Sequence, residues 1–253
     1  SSTPGPMVPP GWVRGPGPPA HPAQSRPGAT PAPPTRRDRR AAGPVVSPPV
    51  RLVLASASPA RLATLRSAGF APDVVVSDVD EAAALEAAPG DAGPADQVLL
   101  LSRAKARDVA RRDTARDALV VGCDSMLELD GAVHGKPADA AEAVARWRRM
   151  RGRSGVLHTG HWIVDTRGPE ARETGGVSST TVHFADLSDA EITAYVATGE
   201  PLAVAGAFTV DGLGGPFVRR VEGDHHGVVG ISLPLLRELL GELGVQVTDL
   251  WRG

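Results

Sequence analysis

The apolar positions of this chain fall into short blocks whose spacing switches between strand and helix. Arg51-Leu52-Val53-Leu54-Ala55 predicts a buried strand. Ser56-Ala57-Ser58 then leads into a helix from Pro59 to about Ala68, with Ser58 as N-cap, Pro59 in the first helical position and Gly69 as the stop. Asp73 to Val76 predicts a second short strand, and residues 82 to 94 an Ala/Gly/Pro linker. A helix follows from about Ala95 to Arg112, its stripe built by Val98, Leu101, Ala104 or Lys105, and Val109. Ala118 to Cys123 is an apolar strand that ends at Asp124. Met126 to Leu129 is a second run, turned by Asp130-Gly131, a strong hairpin signal.

Farther on, Ala140 to Met150 predicts a helix, and Val156 to Val164 a long strand paired antiparallel with Val177 to Phe184. Ser188 and Glu191 form a capping box for a helix that ends near Gly199. Residues 206 to 217 are glycine-rich and irregular, Leu233 to Leu243 is amphipathic, and Val245 to Thr248 predicts a last strand. Strands alternate with helices, but some neighbouring strands are hairpins. The expected fold is α/β, with a mixed, partly antiparallel sheet flanked by helices.

Residues 1–49 break this pattern. Residues 1–50 hold 15 of the 24 prolines, and their six arginines and one aspartate leave 21 basic against 28 acidic residues for the rest. The first 49 residues are expected to be a disordered extension, with 50–253 as the folded domain. An acidic body argues against a broad nucleic-acid surface. The basic cluster Arg36-Arg37-Asp38-Arg39-Arg40 reads as a solvated tail rather than a binding arm. One cysteine, Cys123, excludes an intrachain disulfide framework and suits a reducing compartment. With no apolar run of membrane-spanning length and no signal-peptide pattern, a cytoplasmic location is expected and no membrane partner.

Lysine usage sharpens the chemistry. Of 27 basic residues only Lys105 and Lys136 are lysines. Where arginine is so strongly preferred, a surviving lysine is a candidate for a place where a compact ammonium is wanted, Lys136 more than Lys105, the alternative being chance survival on the surface. Lys136 lies between Gly135 and Pro137 on the returning arm of the hairpin, so it is expected beside the end of the Asp124 strand. An acid with an ammonium suits phosphate chemistry with a divalent metal. Gly131 to Lys136 does not make a phosphate-binding Walker loop: the glycines are one residue too close and Pro137 replaces the Ser or Thr. The serine-rich turn before Pro59 is a ready anion site, and Arg61 is placed to reach the same anion. Asp78, Asp80 and Glu81 could supply metal ligands or form a solvated loop. His225-His226 are read as loop or packing residues, because adjacent side chains on an extended chain point apart. Cys123, alternating with Asp124, belongs to the core.

Eight short motifs, in order, resemble one family. Leu54-Ala55-Ser56-Ala57-Ser58-Pro59-Ala60-Arg61 is similar to the ASxSPRR opening of the Maf-like nucleoside triphosphate pyrophosphatases, once called septum-formation inhibitors. Asp80-Glu81, Ala104-Lys105-Ala106, Gly122-Cys123-Asp124-Ser125 and Gly135-Lys136-Pro137 resemble that family's DE, KA, GxDT and GKP elements. Thr198-Gly199-Glu200-Pro201, Ala205-Gly206-Ala207-Phe208 and Val228-Val229-Gly230-Ile231 resemble its TGEP, AGxY and VVGLP. The resemblance covers about residues 50 to 245. It implies two lobes with a central cleft and hydrolysis of a nucleoside triphosphate to monophosphate and pyrophosphate, with Mg or Mn. Such an enzyme would clear non-standard or surplus nucleotides. The competing reading is a regulatory module, associated with division or nucleic acid, that keeps a vestigial pocket.

On this resemblance Asp124 is the proton acceptor, a metal ligand, or both. Glu81 is a metal ligand, and Ser56, Arg61, Lys105 and Lys136 bind the triphosphate. Positions tied to base choice carry Ala60, Ser125 and Asp211, which match neither of the family's two specificity classes, and Gly227 stands where an Asn is expected. The preferred base and the oligomeric state, a homodimer included, stay open.

Overall fold

The computed structural model describes residues 50–251. They form one seven-stranded mixed sheet flanked by helices. Strand β1 (Leu52–Leu54) lies between β2 (Asp73–Val74) and β3 (Leu119–Leu129), parallel to both. From β3 onward pairing is antiparallel, through β5 (Ser154–Asp165), β6 (Arg172–Phe184) and β7 (Val218–Glu222). The short β4 (Ala132–His134) returns on β3, and both turn residues, Asp130 (φ 55°) and Gly131 (φ 73°), take the left-handed conformation of a tight hairpin.

β3 does not end at Asp124. It runs for 11 residues, paired with β5 from Leu119 to Glu128 without interruption. An acid in a buried strand is tolerated here because a cation is brought over it. That cation comes from α3 (Pro94–Ala110), which lies on β3 and β5. Two glycines let it come so close. A Cβ on Gly122 would stand 2.3 Å from the carbonyl oxygen of Ser102, and one on Gly160 2.3 Å from that of Val98. Gly160 is the cross-strand partner of Asp124, so the helix backbone is seated where the acid emerges.

The core falls into two large clusters. The first packs α1 (Pro59–Ser67) and α7 (Leu233–Glu242) on the sheet through Leu54, Leu65, Leu119, Val121, Cys123, Leu236 and Leu240. The second gathers Trp147 of α4 (Ala140–Met150), Leu127, Phe184, and Ile192 and Tyr195 of α5 (Asp189–Ala197). β3 contributes to both clusters.

Several local expectations hold. Ser58 caps α1, and Ser188 with Glu191 forms the capping box of α5. Others do not. Residues 82–94 are not wholly linker, because Asp80 caps the short helix α2 (Glu81–Glu86) by accepting from Ala83 N. The loop expected over 165–176 is shorter, since β5 and β6 extend to Asp165 and Arg172. The chain end is a 3-10 turn (Val247–Leu250) rather than a strand. His225 and His226 begin the helix α6 (His225–Val229), capped by Asp224, instead of lying in a loop. Residues 1–49 lie outside the described part of the chain.

Candidate functional site

The site is built on β3 and α3. Asp124 and Lys105 are each only 8% exposed. Lys105 Nζ lies 2.7 Å from Asp124 Oδ1 and 2.7 Å from Glu81 Oε1, so one ammonium bridges two carboxylates. The helical spacing left Ala104 or Lys105 for the buried stripe, and it is Lys105 that turns inward. Glu81 opens α2, which packs on α3, and its side chain stays half-exposed. Burial pushes the Asp124 carboxyl above the usual carboxylate range, against the pull of Lys105 and Arg61. Lys105 bonds to Oδ1 alone; Oδ2 takes no hydrogen bond among the described residues.

Arg61 sits where β1 leaves the sheet. Ala55 N still bonds to Val121 O, but the next carbonyl on that side, Cys123 O, has no strand partner, and Arg61 Nη1 donates to it at 2.9 Å. Arg61 also donates to Ser56 Oγ (3.2 Å), Ser125 Oγ (3.1 Å) and Gly230 O (2.7 Å). Four of its five N–H groups are thereby committed to the protein, so the guanidinium expected to grip an anion mainly ties its own helix to three segments, the turn at Ser56, β3 and the backbone at Gly230.

Ser125 alternates to the opposite side of β3 from Asp124. Its proton can be assigned. The only hydroxyl proton of Thr159 goes to Gly227 O at 2.8 Å, so the 3.0 Å contact between Ser125 and Thr159 must be donated by Ser125. Ser125 therefore donates to Thr159 and accepts from Arg61. At the neighbouring Gly227, a Cβ would meet Ser178 Oγ at 2.7 Å, so the asparagine expected there does not fit this backbone without a shift.

The structure thus joins Ser56, Arg61, Ser125, Asp124, Lys105 and Glu81 through direct contacts or shared strand positions. Ala60 lies in the first turn of α1 beside them. Lys136 is not joined. It is exposed and makes no hydrogen bond or ion pair among the described residues, and it is Lys105, not Lys136, that approaches Asp124. Asp211 is exposed in a separate loop. Of the expected acids, Asp80 is spent as a helix cap and Asp78 pairs with Arg112. No group of three His, Cys, Asp or Glu side chains among the described residues could enclose a metal.

One residue was missed. Glu200 accepts from Tyr195 Oη (2.9 Å), Thr209 Oγ1 (2.5 Å), Leu213 N (2.9 Å) and Gly214 N (3.0 Å), and so folds the loop that carries Asp211. The TGEP motif was its only signal in the sequence. Cys123 is fully buried, and burial raises its thiol to about 11, in keeping with a core role.

Fold and site together define an α/β protein in which a buried aspartate and lysine on a mixed sheet are joined to a half-exposed glutamate. A family model described as Maf-like protein matches residues 51–243, and the chain belongs to that family. It is 59% identical over 207 residues to a protein of Salinispora tropica, covering 80% of this chain and 88% of that one. It is 56% identical over 201 residues to one of Streptomyces coelicolor, covering 79% and 94%. With one of Nocardia farcinica it shares 57% over 204 residues, covering 79% and 96%. All three are named nucleoside triphosphate pyrophosphatase.

Proposed function

We propose that this protein hydrolyses nucleoside triphosphates to nucleoside monophosphate and pyrophosphate, with Mg or Mn, and clears non-standard or surplus nucleotides from the cytoplasm. The observation that carries the reading is Asp124: buried, shifted toward neutrality, tied to Lys105 through one oxygen and free at the other. The names of the relatives support the same reaction. No helix among the described residues is long and apolar enough to cross a membrane.

A water oxygen attacks the α-phosphorus, its proton passes to Asp124 Oδ2, and the bond to the α–β bridging oxygen breaks, so pyrophosphate leaves with the electron pair. A raised carboxyl pKa makes Asp124 a better proton acceptor near neutral pH than an ordinary aspartate. Lys105 and Lys136 neutralise phosphate oxygens, and the N-terminus of α1 with Ser56 and Ser58 offers N–H and hydroxyl donors to a phosphate. The uncommitted N–H of Arg61 adds one more. Glu81 and Asp124 are hard oxygen donors already converged on one cation, and two carboxylates with phosphate and water oxygens suit Mg or Mn. Bound there, the metal would polarise the phosphates and hold charge on pyrophosphate. Ala60, Ser125 and the Asp211 loop held by Glu200 would set the base preference.

The test is product analysis in ¹⁸O-water across ordinary and modified triphosphates with Mg or Mn. Label in the monophosphate, with one pyrophosphate per turnover, is expected. Release of orthophosphate, or label in pyrophosphate, would refute attack at the α-phosphorus.

A further inference from the structure

Lys105 occupies the place between Glu81 and Asp124 that the proposed cation would need. The two acid oxygens that it touches are at most 5.4 Å apart, the sum of its two 2.7 Å contacts. A magnesium-sized ion binds oxygens at about 2.0–2.1 Å, so an ion taking both of these oxygens would lie within about 4 Å of the ammonium nitrogen, where a divalent cation and an ammonium repel strongly. α3 is already at closest approach to the sheet at Gly122 and Gly160, and moving a packed helix as a body costs far more than turning one side chain. The end of the Lys105 side chain can turn away, and that requires another anion to receive it, since leaving a buried ammonium unpaired is costly.

We propose that Lys105 is an internal counter-ion that keeps divalent metal out of the nucleotide-free protein, and that the triphosphate admits the metal by drawing the ammonium onto its own oxygens. This rests on the metal-dependent reading above but goes beyond it. Metal and nucleotide do not bind independently: each raises the affinity for the other by the same factor, as linkage requires. The free protein avoids holding a metal with no substrate present. Lysine suits the task because it is a compact point charge on a flexible stem, whereas a guanidinium fork would lock both carboxylates in place.

The test compares Mn²⁺ binding to the nucleotide-free parent and to Lys105→Met, read from the electron-spin resonance of free Mn²⁺. The variant is expected to bind Mn²⁺ at least about 10-fold more tightly, equivalent to about 1.4 kcal/mol. Equal affinity, or tighter binding by the parent, would overturn the proposal. A second measurement needs no variant. With only two lysines in the chain, isotope-labelled lysine gives a two-residue side-chain spectrum. Magnesium alone should leave the Lys105 signal in place, and magnesium with an α,β-methylene triphosphate analogue should move it. A saturable shift with magnesium alone would sink the idea even if Lys105→Met does not fold. Absence of pyrophosphate release by the parent would instead defeat the functional reading, while the Mn²⁺ comparison would still decide the role of Lys105.

Discussion

Two buried carboxylates on adjacent strands of this sheet have opposite fates. Asp124 on β3 is 8% exposed and Asp165 on β5 is 3% exposed. Asp165 accepts from Arg167 N (3.1 Å), Nε (2.8 Å) and Nη2 (2.9 Å) and from Arg172 Nη2 (2.8 Å). These bonds, the Arg167 side chain first, outweigh burial and hold its carboxyl down at about 2. Asp124 has one ammonium on one oxygen, and burial wins. Arginine forks saturate a carboxylate and leave it inert. A lysine point charge holds a carboxylate in place and leaves an oxygen for chemistry. Lysine is rare in this chain, and its use at Asp124 is what sets this acid, and not Asp165, in the working role of the proposed function.

The largest effect should come from Asp124→Asn, which keeps the shape and removes the charge. Pyrophosphate release is expected to fall by about 100-fold or more, as for a lost general base, with the melting temperature held near that of the parent. In the parent, the acid limb of kcat/KM should lie above the ordinary aspartate value of about 3.9, because a raised carboxyl loses its reactive form sooner as pH falls. An acid limb at or below that value would remove the distinction between the two acids.

Gly122→Ala attacks the same contrast through the backbone. The new methyl meets Ser102 O, so α3 must move and take Lys105 with it. A loss of roughly 10-fold in kcat/KM is expected from misplacement, with a destabilisation of about 1–3 kcal/mol from overpacking. Urea melts and turnover on the same samples would check both. Lys136→Arg should cost up to about 10-fold in kcat/KM if a compact ammonium is needed on the phosphates. Turnover equal to that of the parent would return Lys136 to the ordinary surface.

Asp165→Asn should leave turnover within about twofold of the parent while lowering stability by about 1–3 kcal/mol, less than a fully buried pair because both arginines are partly solvated. The sign of its pH dependence follows from a depressed carboxyl. Its contribution is present above the unfolded value of about 3.9 and is lost as pH falls toward about 2. Denaturation midpoints of parent and variant should therefore converge on acidification.

Much of this was legible in the chain. Ala140 to Met150 was read to the residue, and the structure gives the reason for its sharp start: Asp139 caps it by accepting from Glu142 N. The candidate site residues were singled out through ordered motifs, but their structural partners were not. Lys136 looked like the neighbour of Asp124 because the hairpin is local in sequence. The true neighbour, Lys105, arrives from a helix docked on two glycines, and that docking has no periodic signature. The same blindness ended the Asp124 strand too early, since a carboxylate in an apolar run reads as a stop until its counter-charge is known. β7 escaped because an exposed edge strand, Val218–Glu222, carries no continuous apolar face.

The unbroken passage of β3 through both core clusters has a mechanical consequence. The strand is a beam of 11 residues, braced by β5 and β6 of 12 and 13 residues, and Asp124 sits near its midpoint. A beam clamped in this way twists a little but does not fold at its centre. The two halves of the molecule are therefore expected to stay fixed to one another when substrate binds, rather than swing shut as separate jaws. Small-angle scattering should accordingly give the same radius of gyration with and without a bound nucleotide analogue. Whatever encloses the substrate must come from side chains and from the loop pinned by Glu200, small moving parts mounted on a stiff frame.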